Sequence, residues 1–210
     1  MCDGYHKKKN LNGLFQKGVD ILSKCLFCII GKSGSGKTTI CTKLEENGYK
    51  QIPSYTTRKP RTKNEVGHTF VTDEEFNRLE DLVAFADYRG ARYGVTKQQV
   101  EDENNSLYVV DITGLNYLKE EYKGSRRIVS IYINADITTI YKRLVERYAD
   151  KPFDERTEKI TRRLSDDLYE FRGANKLCDY VIYNDNAPVE RAVEKIEQII
   201  KEEESKNEED

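Results

Sequence analysis

The chain has 210 residues, enough for one ordinary α/β domain with a sizeable core. Apolar residues make up 37% and charged residues 34%, against about 45–50% and about a quarter in a typical globular domain. The formal net charge is −2 and the longest apolar run is the six residues Cys25 to Ile30, so neither a nucleic-acid-binding field nor a membrane span is indicated.

Residues 1–21 read as a polar extension. Met1 to Asn10 carries a Lys7-Lys8-Lys9 run, and Gln16, Lys17 and Asp20 interrupt the apolar stretch that a secretory leader needs. A cytoplasmic setting is expected, and five scattered cysteines suit a reducing compartment better than a disulfide framework. Cys25-Leu-Phe-Cys-Ile-Ile30 is a continuous apolar strand of the fully buried kind. Cys25 and Cys28 have the spacing of half a metal knuckle, but side chains three apart on a strand face opposite ways.

A glycine-rich turn leads to a helix from about Lys37 to Asn47, with Gly48 suited to the left-handed cap position. Residues 49–55 are expected to form a second strand. Thr72 to Glu75 is a capping box, so a short helix begins at Asp73 and buries Phe76 and Leu79. Leu82 to Tyr88 reads as a strand, and Thr96 to Gln99 caps another short helix. Leu107 to Asp111 and Ile128 to Asn134 are strands rich in β-branched and aromatic residues. Asp136 caps a helix reaching Tyr148, and a highly charged stretch leads into a helix carrying Leu164, Leu168 and Phe171 at i, i+4, i+7 spacing. Tyr180 to Tyr183 is the last strand, a helix from about Pro188 to Glu203 follows, and residues 204–210 form an acidic tail. Strands alternate with helices throughout, which predicts one α/β domain over 22–203, a three-layer α/β/α fold around a mostly parallel sheet.

Gly31-Lys-Ser-Gly-Ser-Gly-Lys37-Thr38 matches the phosphate-loop pattern G-x-x-x-x-G-K-[ST] in full, between a buried strand and a helix. Glycines 31, 34 and 36 let backbone N–H groups turn inward onto a polyphosphate, together with those of Ser33 and Ser35. Lys37 supplies a point charge for the β- and γ-phosphates, the Thr38 hydroxyl is a Mg²⁺ ligand, and Thr39 continues the helix N-terminus over the phosphates. ATP and Mg²⁺ are the expected cofactors. The loop alone leaves GTPases, motor ATPases and kinases open. Ser54-Tyr-Thr-Thr-Arg58-Lys-Pro-Arg61 follows, and two arginines three apart can fork around a phosphate dianion or simply face water.

From about Cys25 to Ile200 the chain resembles the guanylate kinase family. The resemblance is carried by Gly31 to Thr38, Ser54 to Arg61, Gly67 to Phe76, Ala86-Asp87, Gly90 to Thr96, Val109 to Asp111, Ile160 to Leu164 and Asp179 to Asp185. It implies an ATP-binding core, an acceptor-binding insert at about 54–97 and a mobile lid at about 146–172. It further implies that Ser54, Arg58, Arg61 and Tyr93 grip the acceptor phosphate, and that Arg147 and Arg163 reach the transferring group. Asp111 would help order Mg²⁺, and Asn184 would lie near the adenine. Arg162 is about 100° from Arg163 on a helix, so Arg163 is preferred as the lid arginine. Arg143, Arg156 and Arg172 read as surface residues.

Four positions depart from the family pattern. His68 stands where a phosphate-contacting tyrosine is usual, and Asp87 where a glutamate reads the base. D-x-D becomes Asp111-Ile-Thr113, and Val95 replaces a small hydroxyl residue with Thr96 beside it. The implied reaction is phosphoryl transfer from ATP to a nucleoside monophosphate, GMP or dGMP first, with another monophosphate as the alternative. The expected partners are small nucleotides, not nucleic acid or membrane. A non-catalytic interaction module of this fold and a nucleotide hydrolase or switch are the competing readings.

Overall fold

The computed structural model describes residues 24–60, 63, 65–88, 90–185 and 187–206, so the expected extension and most of the acidic tail lie outside the described residues. In chain order the elements are β1 (Cys25–Ile30), α1 (Lys37–Glu46), β2 (Ser54–Thr56), β3 (His68–Phe70), α2 (Asp73–Phe76), β4 (Leu82–Tyr88), β5 (Ala91–Thr96) and α3 (Lys97–Glu101). Then follow β6 (Leu107–Val109), α4 (Ile112–Glu121), β7 (Arg127–Asn134), α5 (Ile137–Arg147), α6 (Phe153–Glu170), α7 (Ala174–Leu177), β8 (Tyr180–Tyr183) and α8 (Val189–Ser205). No described helix is long and apolar enough to cross a membrane.

The core sheet is parallel throughout, in the order β6-β1-β7-β8. Its centre is β1, whose six residues are all fully buried, as an uninterrupted apolar run between two covered faces demands. Strand alternation divides them. Cys25, Phe27 and Ile29 join the cluster made with α1 and α8, whereas Leu26, Cys28 and Ile30 join the cluster that contains Leu115 and Leu118 of α4. Phe27 is 0% exposed at the middle of the first cluster. Phe27→Ala is expected to cost about 3–5 kcal/mol of stability, read as a lower urea midpoint; a loss below about 1 kcal/mol would contradict tight packing of that layer.

A second, mixed sheet is built wholly from residues between 54 and 96, in the order β3-β2-β5-β4. It differs from the single sheet read from the sequence. The expected strand over 49–55 is not formed: Gln51 makes one isolated bridge to Leu107, and the chain then turns away to start β2 in the other sheet. The helix α4 was also unforeseen. It begins where Asp111 caps it by accepting from Gly114 N at 2.7 Å, and it packs against β4, joining the two sheets. On α6, Leu168 is 60% exposed, contrary to the i, i+4, i+7 reading. The buried face instead carries Ile160 and Asp167, because the loop beneath supplies a polar partner.

Candidate active site

The turn from β1 to α1 is the phosphate loop. Gly34 and Gly36 adopt φ of 81° and 101°, a left-handed region that side-chain-bearing residues rarely enter. Gly31 has no room for a Cβ, which would stand 2.5 Å from the Ile133 carbonyl oxygen and 2.7 Å from Ser35 Oγ. Two side chains from distant segments brace the loop at Gly34 and Ser35. Asn184, buried after β8, donates to Ser35 O at 2.7 Å. Arg143 of α5 donates to Gly34 O at 3.1 Å, Ser35 O at 3.3 Å and Asp185 O at 2.8 Å. Arg143 is therefore a brace of the loop rather than a surface residue. Its partners are backbone carbonyls 42, 108 and 109 positions away, which no local pattern announces.

Lys37 opens α1 and donates to Gly31 O and, at 3.1 Å, to Lys32 O. Desolvation pushes its ammonium down to about 8, with the nearby Asp167 carboxylate opposing the shift most strongly. Thr38 and Thr39 follow on the exposed first turn of α1. Asp111 is half-buried across the cavity; burial raises its carboxyl above the usual range, opposed first by the Gly114 N–H and next by Lys37.

Two hollows meet at this loop. One, of about 170 Å³, is bounded by Gly31, Ser33 and Lys37 on the loop side and by Ser54, His68 and Tyr93 of the second sheet on the other. The second, of about 300 Å³, lies on the other flank of the loop against Gly34, Gly36, Thr39, Arg143, Arg147 and Asn184. Within the first hollow, Ser54 Oγ is 2.9 Å from His68 Nδ1, and the His68 ring meets Tyr93 edge-on at 5.8 Å. Arg58 stands behind them, its Nε donating to Tyr93 Oη at 3.2 Å. Its Nη1 and Nη2 fork onto Glu65 at 3.2 and 2.8 Å, which fixes the guanidinium plane. Glu65 is a positioning group that the sequence reading missed. Arg61 lies outside the described residues.

From α6, Arg163 donates to Ser33 Oγ at 2.9 Å, while its neighbour Arg162 is exposed. Asp167, one turn further along and only 3% exposed, accepts from Ser33 N at 2.8 Å. Neither Asp167 nor Glu170, which borders the same hollow, was anticipated.

Four of the described residues expected to contact substrate line neither hollow: Arg58, held behind Tyr93, and Asp87, Thr96 and Thr113. Asp87 is exposed: along β4 the alternation turns Ala86 and Tyr88 toward the hollow and Asp87 to the opposite face. Thr96 uses its hydroxyl to cap α3, accepting from Gln99 N at 3.4 Å. Thr113 is exposed in the first turn of α4, and Gly114 faces the hollow in its place.

Comparison with known proteins bears on this arrangement. A family model described as guanylate kinase matches residues 23–203. Among curated relatives, the guanylate kinase of Fusobacterium nucleatum is 31% identical over 170 residues, covering 76% of this chain and 88% of its own. That of Clostridium perfringens strain SM101 is 33% identical over 187 residues, covering 83% and 82%. A crystal structure of guanylate kinase from Anaplasma phagocytophilum shares the fold with a TM-score of 0.64 at 24% identity, covering 88% of each chain. With the phosphate loop, the second sheet and α6 arranged as described, this chain belongs to the guanylate kinase family.

Proposed function

We propose that the protein transfers the γ-phosphoryl group of ATP to a nucleoside monophosphate, with GMP or dGMP as the acceptor. The observation that carries this reading is the pair of hollows bordering one phosphate loop, with Lys37 lining the first of them and Arg163 bonded to the loop at Ser33. ATP would lie across the loop with its base toward Asn184 and Arg147. The acceptor phosphate would face Ser54, His68 and Tyr93, with Arg58 behind them. An acceptor phosphate oxygen attacks the γ-phosphorus in line as the bond to the β–γ bridging oxygen breaks, releasing ADP. Such transfer needs positioning and charge neutralisation more than covalent help.

The donor set suits Mg²⁺: the Thr38 hydroxyl, exposed on the first turn of α1, and the Asp111 carboxylate, on the wall of the first hollow, are hard oxygen ligands. They would hold the ion together with phosphate oxygens, and the ion would neutralise charge on the bridging oxygens. Closure of α6 would exclude water, the competing acceptor. The substrates are small nucleotides of the cytoplasm.

A coupled assay of ADP release over GMP, dGMP, AMP, dAMP, UMP, CMP and dTMP tests the proposal. GMP or dGMP is expected to give the highest kcat/KM. Activity with none would sink the kinase reading and revive the interaction module, whereas a preference for another base would sink the choice of acceptor alone. In the same assay Arg58→Ala is expected to raise the acceptor KM about 10- to 100-fold and leave the ATP KM within about threefold. Equal rises in both would show that Arg58 serves the fold of the insert and not the acceptor.

A further inference from the structure

Tyr108 carries a hydroxyl that the chain around it does not use. The residue stands in β6, paired with Cys28 of β1, and its ring packs in the cluster of Leu26, Cys28, Ile30, Val110 and Phe171. Only 3% of it is exposed, and no group among the described residues forms a hydrogen bond with Tyr108 Oη. Yet this oxygen is not sealed in, as Ser35 Oγ and Ser106 Oγ are, because Tyr108 borders the first hollow. Other buried phenols differ. Tyr122 donates to Glu101 at 2.9 Å and accepts from Arg126 N at 3.1 Å, whereas Tyr132, also 3% exposed, borders neither hollow. Phenylalanine would fill the same apolar volume with no polar atom to desolvate, so the hydroxyl gives the folded chain nothing by itself. Burial raises the phenol well above its ordinary range, and the Cys28 thiol and Asp111 carboxylate act in the same direction. The oxygen therefore keeps its proton and can donate.

We propose that Tyr108 positions the acceptor, its hydroxyl bonding an oxygen of the nucleoside, either a sugar hydroxyl or a base carbonyl. The inference rests on reading the first hollow as the acceptor site. Position and charge select the nucleoside over its phosphate. Ser54, His68 and Tyr93 line the hollow from the second sheet and take the phosphate in that reading, whereas Tyr108 enters from the core sheet. Asp111 acts on the phenol and lies on the same wall, where its negative charge disfavours a phosphate dianion. A neutral hydroxyl both donates and accepts, which suits uncharged oxygens of a sugar or a base. Among apolar neighbours that exclude water, such a bond is stronger than it would be at the surface.

The test is Tyr108→Phe in the full chain, which removes one oxygen and keeps the ring. Its urea midpoint is expected to match wild type or exceed it, because no bond within the chain is lost. Calorimetric affinity for GMP is expected to fall about tenfold and the acceptor KM to rise as much, while kcat and the ATP KM stay within about threefold. Repeating the measurement with dGMP separates the two oxygens. A loss with GMP alone assigns the contact to the 2′-hydroxyl, and an equal loss with both assigns it to an oxygen they share. Unchanged acceptor binding overturns the proposal, as does a lower midpoint with equal rises in both KM values, which would make Tyr108 a packing residue. Wild type that binds neither monophosphate sinks the acceptor site and this inference with it. Wild-type binding that the variant matches sinks the inference alone.

Discussion

Lys37→Met is expected to abolish phosphoryl transfer, lowering kcat by about 10³-fold or more in the coupled assay while the protein stays folded. The lysine holds the only ammonium in the transfer hollow among the described residues, and it waits on Gly31 O and Lys32 O, from which it can swing to a phosphate oxygen. Its titration gives a second signature. Burial disfavours the charged form and brings the ammonium down to about 8, so the free enzyme loses this positive charge as pH rises through that value. The profile of kcat/KM for ATP, which reports the free enzyme, should be flat below the midpoint and fall about tenfold per unit well above it. The profile of kcat should break at higher pH, because bound phosphates hold the proton on. Lys37→Arg, which cannot lose its charge in this range, should show no alkaline break in whatever activity it retains. A break that persists in that variant would assign the titration to another group.

What the sequence discloses about this site is what is local. The apolar run of β1, the glycine spacing of the loop and the caps at Thr72, Thr96 and Asp136 each depend on neighbours a few residues away, and each appears where the pattern places it. The second sheet was hidden because β2 and β3 are three residues long and pair across the chain, leaving no periodicity to read. Helix α4 was hidden by Gly114, a poor helix former by about 1 kcal/mol. The structure shows why glycine stands there: a Cβ would lie 2.7 Å from Val110 Cγ2.

The wall of the first hollow shows the same limit in another form. Alternation along β4 separates Asp87 from Ala86 and Tyr88, but nothing in the strand itself says which face looks into the hollow. Packing of α4 against β4 decides it. Asp167 and Arg143 meet loop atoms 134 and 109 positions away in sequence, so their contacts emerge only in the fold, where α6 and α5 pack on the loop.

The second large effect expected is on the lid. Arg163→Ala should lower kcat by about 10³-fold, on the scale of an arginine that neutralises charge on a transferring phosphoryl group, and leave the ATP KM within about threefold. The reasoning is positional. Arg163 reaches Ser33 from α6, where the loop borders the hollow proposed for the acceptor, so its charge would bear on the γ-phosphate and not on the rest of ATP. Arg147 lies elsewhere: it borders the hollow with Asn184 and is exposed at the end of α5. Its alanine variant should lose only about tenfold in kcat with a comparable rise in the ATP KM, because binding of the donor and stabilisation of the transition state are both touched. Lysine at 163 restores charge without the planar fork and should recover part of the loss, whereas glutamine should recover none. Steady-state kinetics with both substrates varied separates these cases. If Arg163→Ala weakened ATP binding as much as it slowed turnover, the arginine would be a strut between lid and loop, and charge neutralisation would have to come from Lys37 and the metal alone.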